Sequence, residues 1–323
     1  MRVFILIFFV LFTIACNSSN NKNQQELTEE TSVTAIKSEE AESIQEAVSF
    51  MGEPLYRKTV DEVTLVKSDS IIQSVRARTE LTEDDYHTIG LAHIMAYRFR
   101  DAIDNYTEGL EKYPDSFQLL RHRGHRYLNV RETEKAIADL MKADELIGDQ
   151  YLDVMEYNSD GSQKGTFKFW VGYHLALYHI FNQQWEEAAD AYRICLENAA
   201  LPNNVSGASA WLYMVYQKMG ESEKAEALIA PLDENFEGDQ DYIYFRRIML
   251  YQGRITPEDL MDLEKPVDQW TGREMTIAYG IADWYEQQGD TQKANEIYRN
   301  ILETLHWNPW AYVVTESIIA NLS

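Results

Sequence analysis

The feature that most restricts this chain is a helix pair written twice between Tyr86 and Gly148. The copies YHTIGLAHIMAYRFRDAIDNYTEGLEKYP and LLRHRGHRYLNVRETEKAIADLMKADELIG superimpose with a shift of 34 residues. Gly90 then falls on Gly124, His93 on Tyr127, Ala102 on Ala136 and Gly109 on Ala143. A fixed period of this length marks stacked helix-turn-helix units. The small residues belong where the two helices of a unit cross, because a side chain larger than methyl holds them apart. Ile89, Tyr106 and Leu110 fill the groove on either side.

The remaining units follow from the crossing alanine, which recurs at Ala102, Ala136, Ala188, Ala225 and Ala294, with gaps of 34, 52, 37 and 69 residues. The gap of 52 is one period plus an insertion of 18, and the gap of 69 hides a degenerate unit. That unit lies at Asp241 to Lys265, where YIYFRRIMLYQG suits a first helix. Thr256-Pro257-Glu258 starts a second, which Pro266 stops. The third unit keeps Ala176, His179, Ala188 and Tyr192. The fourth keeps Tyr216, Gly220 and Ala225 but has Tyr213 at a small-residue position. The last keeps Ala282, Tyr285, Gly289, Ala294 and Tyr298.

This pattern resembles the tetratricopeptide repeat family. The first copy places Tyr86, Ile89, Gly90, His93, Ala102, Tyr106, Gly109 and Pro114 at eight signature positions. The resemblance implies an all-α, right-handed helical solenoid of about five to six helix pairs, with helical caps at both ends. It also implies a scaffold that binds protein or peptide partners and carries no reaction of its own. Cys195 takes the small-residue position held by Gly109 and Ala143, so it reads as a buried, inert thiol.

The expected division is a leader over 1–15, a tether over 16–38, an N-terminal helical cap over 39–81, the solenoid over 82–307 and a closing helix over 308–323. The leader is Met1-Arg2 followed by the apolar run VFILIFFVLFTI, which is shorter than the roughly 20 apolar residues of a membrane span and suits a secretory signal. Ala15-Cys16 at its end resembles a bacterial lipoprotein signal, although Thr13 stands where that family usually has leucine. The resemblance implies lipidation of Cys16 and a membrane-anchored protein of the cell envelope. Asn17 to Ser38 is too polar to offset its own ordering entropy and reads as a coil with a reach of roughly 25 Å. In Glu39 to Met51, Ile44, Ala47, Val48 and Met51 are spaced as one helix face. Val63 to Arg78 forms a second helix of the cap, and Thr82 with its following acids opens the first repeat.

Charge narrows the partners. With 29 basic and 53 acidic residues the formal charge is −24, which argues against nucleic acid and against adsorption to anionic lipid. Within that acidic chain, Phe117 to Arg131 has four arginines, two histidines and no acid. Gln118, Arg121 and His125 share one helix face, with His122 beside it. In the resembled family the first helices line a concave groove, so that face points inward with His87 and Leu91 before it. Trp170, Tyr173, His174 and Leu177 follow after it. Cationic donors beside flat aromatics suit a carboxylate-bearing, acidic peptide. The competing reading pairs these arginines with Asp84, Asp85, Asp101 and Asp104 of the preceding unit.

His122 and His125 lack a third ligand at recognisable spacing, so no metal is expected. With no phosphate loop, nucleophile elbow or framed carboxylate pair, the chain reads as a non-enzyme without cofactor. The insertion at 149–168 carries a turn signal at Asn158 to Gly161 and reads either as a lid on the groove or as a longer connection. A second functional reading, a glycan-capturing lipoprotein built on similar helices, rests on 20 tyrosines and 7 tryptophans.

Overall fold

The structure is a computed structural model that describes residues 44–158 and 160–322. The leader, Cys16 and the tether lie outside the described residues. Residues 45–323 make one compact unit.

Helix α1 (Glu62–Arg76) precedes the repeats. The first pair is α2 (Glu83–Met95) with α3 (Phe99–Lys112), and the second is α4 (Phe117–Asn129) with α5 (Thr133–Ile147). The third is α6 (Phe167–Phe181) with α7 (Trp185–Glu197), and the fourth is α8 (Pro202–Lys218) with α9 (Ser222–Ile229). A degenerate pair follows, α10 (Ile243–Tyr251) and the one-turn α11 (Pro257–Leu260). The last pair is α12 (Gly272–Gln287) and α13 (Thr291–Glu303), and α14 (Trp310–Leu322) closes the chain. Outside the degenerate pair, each helix packs on its pair mate, and successive pairs pack on one another, which is the stacking of an all-α repeat solenoid.

Sequence sets the ends of these helices. Thr82 forms a capping box with Asp85, and Thr271 forms one with Glu274. Ser116 and Thr166 each accept the third amide of the helix they open. Five residues before every crossing alanine the backbone turns left-handed, at Tyr97, Arg131, Gln183, Gly220 and Gly289, with φ of 55°, 64°, 54°, 74° and 81°. The next amide in each case donates back to the first helix, as Arg98 does to the His93 carbonyl and Asp290 to that of Tyr285. The five alanines are all buried, at 1% exposure or less. An added Cβ at Gly109 lies 2.8 Å from Tyr86 Cγ, and one at Gly172 lies 3.0 Å from Cys195 Sγ, so the helices cross as closely as the small residues permit. Cys195 is buried, and burial holds its thiol protonated.

Three regions differ from the sequence expectation. Where a helix was expected over Glu39 to Met51, residues Gln45–Val48 are a strand, β1, paired antiparallel with β2 (Pro54–Tyr56). Tertiary anchoring explains the change: buried Glu46 accepts from Arg57 Nε at 2.6 Å and from the Arg100 amide at 2.8 Å. The second helix of the degenerate unit, expected to run to Pro266, ends at Leu260. Met261 goes extended, and Trp270 is buried instead with its indole N–H donating to the Lys265 carbonyl at 3.0 Å. The insertion is a second hairpin, β3 (Met155–Tyr157) with β4 (Gln163–Thr166), turning at Asn158 to Gly161.

Helix α14 does more than cover the last pair. It packs on α12 and α13 and also on α6, so it reaches back to the third unit. There Glu316, fully buried, accepts from Arg131 Nε at 3.1 Å and from the Phe50 amide. Arg131 also donates to the Trp307 carbonyl at 2.9 Å, and the Trp307 indole donates to the Tyr56 carbonyl at 2.7 Å. This clasp ties the N-terminal hairpin, the second repeat and the closing helix together.

Candidate functional site

The residues singled out in sequence converge on one region, where α2, α4 and α6 lie side by side. His87 of α2 and His122 of α4 have ring centroids 4.1 Å apart, and His125 of α4 and His174 of α6 are 4.2 Å apart. Arg121 immediately precedes His122 on α4. Its guanidinium lies over the Trp170 ring at 5.7 Å and donates to His122 Nδ1 at 2.9 Å. Tyr173 has its ring 5.4 Å from that of Trp170 and its hydroxyl 3.4 Å from that of Tyr244.

Arg121 has a carboxylate already, and this chain supplies it. Glu156 on β3 lies 3.1 Å from Arg121 Nη2, with both side chains at 3% exposure or less, and Lys164 on β4 binds the other oxygen. The hairpin therefore rests on the basic helix. The arginines do not pair with Asp84, Asp85, Asp101 or Asp104. Arg123 grips Asp139 of its own unit through two bonds of 2.7 Å, and Arg131 holds Glu316. Their charges are met by their own second helix, the insertion and the closing helix, while the preceding unit offers only the Thr107 hydroxyl to Arg123 and the Phe99 ring to Arg126. Arg126, 7% exposed, has no hydrogen bond or ion pair among the described residues and lies over the Phe99 ring at 5.8 Å.

The electrostatics follow from burial. His122, His125 and His174 are held well below the ordinary imidazole range, first by burial and then by neighbouring rings and guanidinium groups. Burial lowers Arg126 to about 10 and Lys164 to about 8. Burial pushes the Glu156 carboxyl up, but Arg121 and Lys164 outweigh it and hold it below its usual value. The rings of His122 and His125 contact different partners, and no cluster of three metal-ligating side chains exists among the described residues.

Beside this region a cleft of about 530 Å³ opens between the inserted hairpin, the start of α8 and the loop before α10, with Lys164, Trp170, Asn204, Glu237, Asp239 and Tyr242 on its walls. It adjoins a recess of about 210 Å³ walled by Trp170, Tyr173, Tyr242, Tyr244 and Trp310. Trp310 also touches His125 at 4.9 Å and His174 at 5.6 Å. Sequence reasoning missed Arg126, Glu156, Lys164, Tyr242 and Trp310. The hairpin pair was within reach, because a turn at 158–161 sets Glu156 and Lys164 near each other across the two strands. Nothing in sequence placed Trp310 against α6.

A family model described as tetratricopeptide repeat matches residues 278–304, which are most of the last helix pair. No curated protein sequence matches the chain. A crystal structure of MamA aligns at 19% identity over 67% of this chain and 93% of its own, with a TM-score of 0.37. A second, MamA MSR-1, aligns at 14% identity over 59% of this chain and 99% of its own, with a TM-score of 0.37. Overlaps this loose carry no argument here. The repeated helix pairs, the buried crossing alanines with a left-handed turn before each, and the match at the last pair show an all-α solenoid of tetratricopeptide-repeat type.

Proposed function

We propose that this protein is a non-catalytic scaffold of the bacterial cell envelope, tethered by a lipid on Cys16, that holds a protein or peptide partner in the aromatic cleft. The observation that carries the reading is the cleft itself. It is the open continuation of a wall whose other half, along α4 and α6, is covered by the chain's own hairpin and closing helix. Aromatic faces supply contact area at small entropic cost, and Gln163, Asn203 and Asp239 on the walls offer both donors and acceptors to an extended backbone.

The test is a photo-crosslinking amino acid placed at Tyr242 of the full chain in its own cells, followed by mass spectrometry of the adducts. A specific polypeptide adduct that disappears with Trp170→Ala is the expected result, and an absence of polypeptide adducts overturns the reading. A glycan partner is the second reading, favoured by the tryptophan and tyrosine walls beside Asn203 and Asn204. Capture on a glycan array that Trp170→Ala abolishes, without a crosslinked polypeptide, selects it. Palmitate incorporation lost in Cys16→Ala tests the anchor, and equal labelling of both chains removes it.

A further inference from the structure

We propose that the basic cluster around Arg121 and Arg126 is a binding site for a doubly charged tetrahedral oxyanion of the phosphate class. Arg121 and Lys164 share the single carboxylate of Glu156, and Arg126, on the same helix as Arg121, adds a third positive charge that Glu156 attracts only through space. Arg126 makes no ion pair or hydrogen bond among the described residues, and its Nε is buried without a partner. Taking a guanidinium out of water without an acceptor is unfavourable, and buried polar groups in folded proteins are almost always satisfied.

The shortage extends to neutral donors. His122 Nδ1 accepts from Arg121, so its proton sits on Nε2, and that nitrogen is buried without a partner. Arg121 Nε and the Trp170 indole N–H are buried and unpartnered as well. These unpartnered donors from α4 and α6 outnumber the one Glu156 oxygen, Oε2, that accepts no hydrogen bond, and positive charges outnumber negative ones by two. A single carboxylate supplies one charge and two coplanar oxygens. A phosphate dianion supplies two charges and oxygens in four directions, which fits donors arriving from different elements. Arg126 and Lys164 hold their protons less tightly than usual, first because of burial and then because the positive charge of Arg121 stands near. The site stands apart from the partner cleft, touching it only at Trp170 and Lys164, and neither proposal depends on the other.

Calorimetry and thermal unfolding of the full chain in phosphate-free buffer test it, with inorganic phosphate, glycerol phosphate and acetate compared at equal ionic strength. Saturable binding of phosphate with a rise in Tm, and no comparable rise with acetate, is expected. Arg126→Gln should weaken phosphate binding at least tenfold, yet melt in phosphate-free buffer no lower than the parent because it removes an unpaired charge. Arg126→Lys, which keeps the charge and loses the planar fork, should bind several-fold more weakly than the parent and serves if the glutamine variant misfolds. Tighter binding of glycerol phosphate than of inorganic phosphate assigns the site to a phosphate ester, and the reverse assigns it to the free ion. Absence of binding by both, or binding unchanged in the Arg126 variants, overturns the proposal.

Discussion

At Gln183 the chain adopts a left-handed conformation that costs an L side chain roughly 1 kcal/mol, and the residue is exposed. The equivalent positions in two later repeats are Gly220 and Gly289. Gln183→Gly should therefore stabilise the protein by about 0.5–1 kcal/mol, read as a shift in the urea midpoint at constant slope. Arg131 shares the conformation but its side chain holds Glu316, so Arg131→Gly should destabilise. The same scale governs acid sensitivity. His122, His125 and His174 are neutral when folded and titrate near 6.5 when unfolded. Below about pH 6.5 the unfolded chain binds protons that the folded chain refuses, so stability is full above that pH and falls as pH drops. Each group contributes about 1.4 kcal/mol per pH unit at the steepest. Denaturation between pH 7.5 and 5 should show this slope, and His122→Gln with His125→Gln should reduce it; a flat profile in the parent excludes it.

Among the elements, the inserted hairpin is the most informative. Glu156→Ala leaves Arg121 buried and unpaired and should cost about 3–5 kcal/mol, whereas Tyr157→Ala on the exposed side should cost little. Equal melting temperatures for the two variants contradict the buried pairing. The helix pairs were legible in sequence because the crossing contact accepts only small side chains, and that constraint repeats with the period. The strand at Gln45–Val48 was not, because Ile44, Ala47, Val48 and Met51 suit a helix face equally well. What decides is Arg57 and Arg100 drawing in Glu46, and no local pattern contains that. The basic helix draws its partners from its own second helix, an insertion and a distant helix, and only the first of these lies near it in sequence.

For the whole molecule, the clasp changes how a repeat protein unfolds. A free solenoid has only nearest-neighbour contacts and can open from its ends. Here Glu316 joins Arg131 to the Phe50 amide, so the second repeat, the N-terminal hairpin and the closing helix depend on one another. A single cooperative urea transition is expected for the parent. Glu316→Ala should lose about 3–5 kcal/mol from the buried pair and separate that transition into two steps, with early hydrogen exchange in α14. A variant that stays fully cooperative at near-parent stability contradicts this role for the clasp.

The distance of that contact along the chain, 185 residues between Arg131 and Glu316, bears on biosynthesis. The early repeats leave the ribosome long before the helix that shields them, so their aromatic wall waits uncovered while translation proceeds. A nascent chain halted before residue 316 should therefore recruit holdase chaperones that release it once the final helix has emerged.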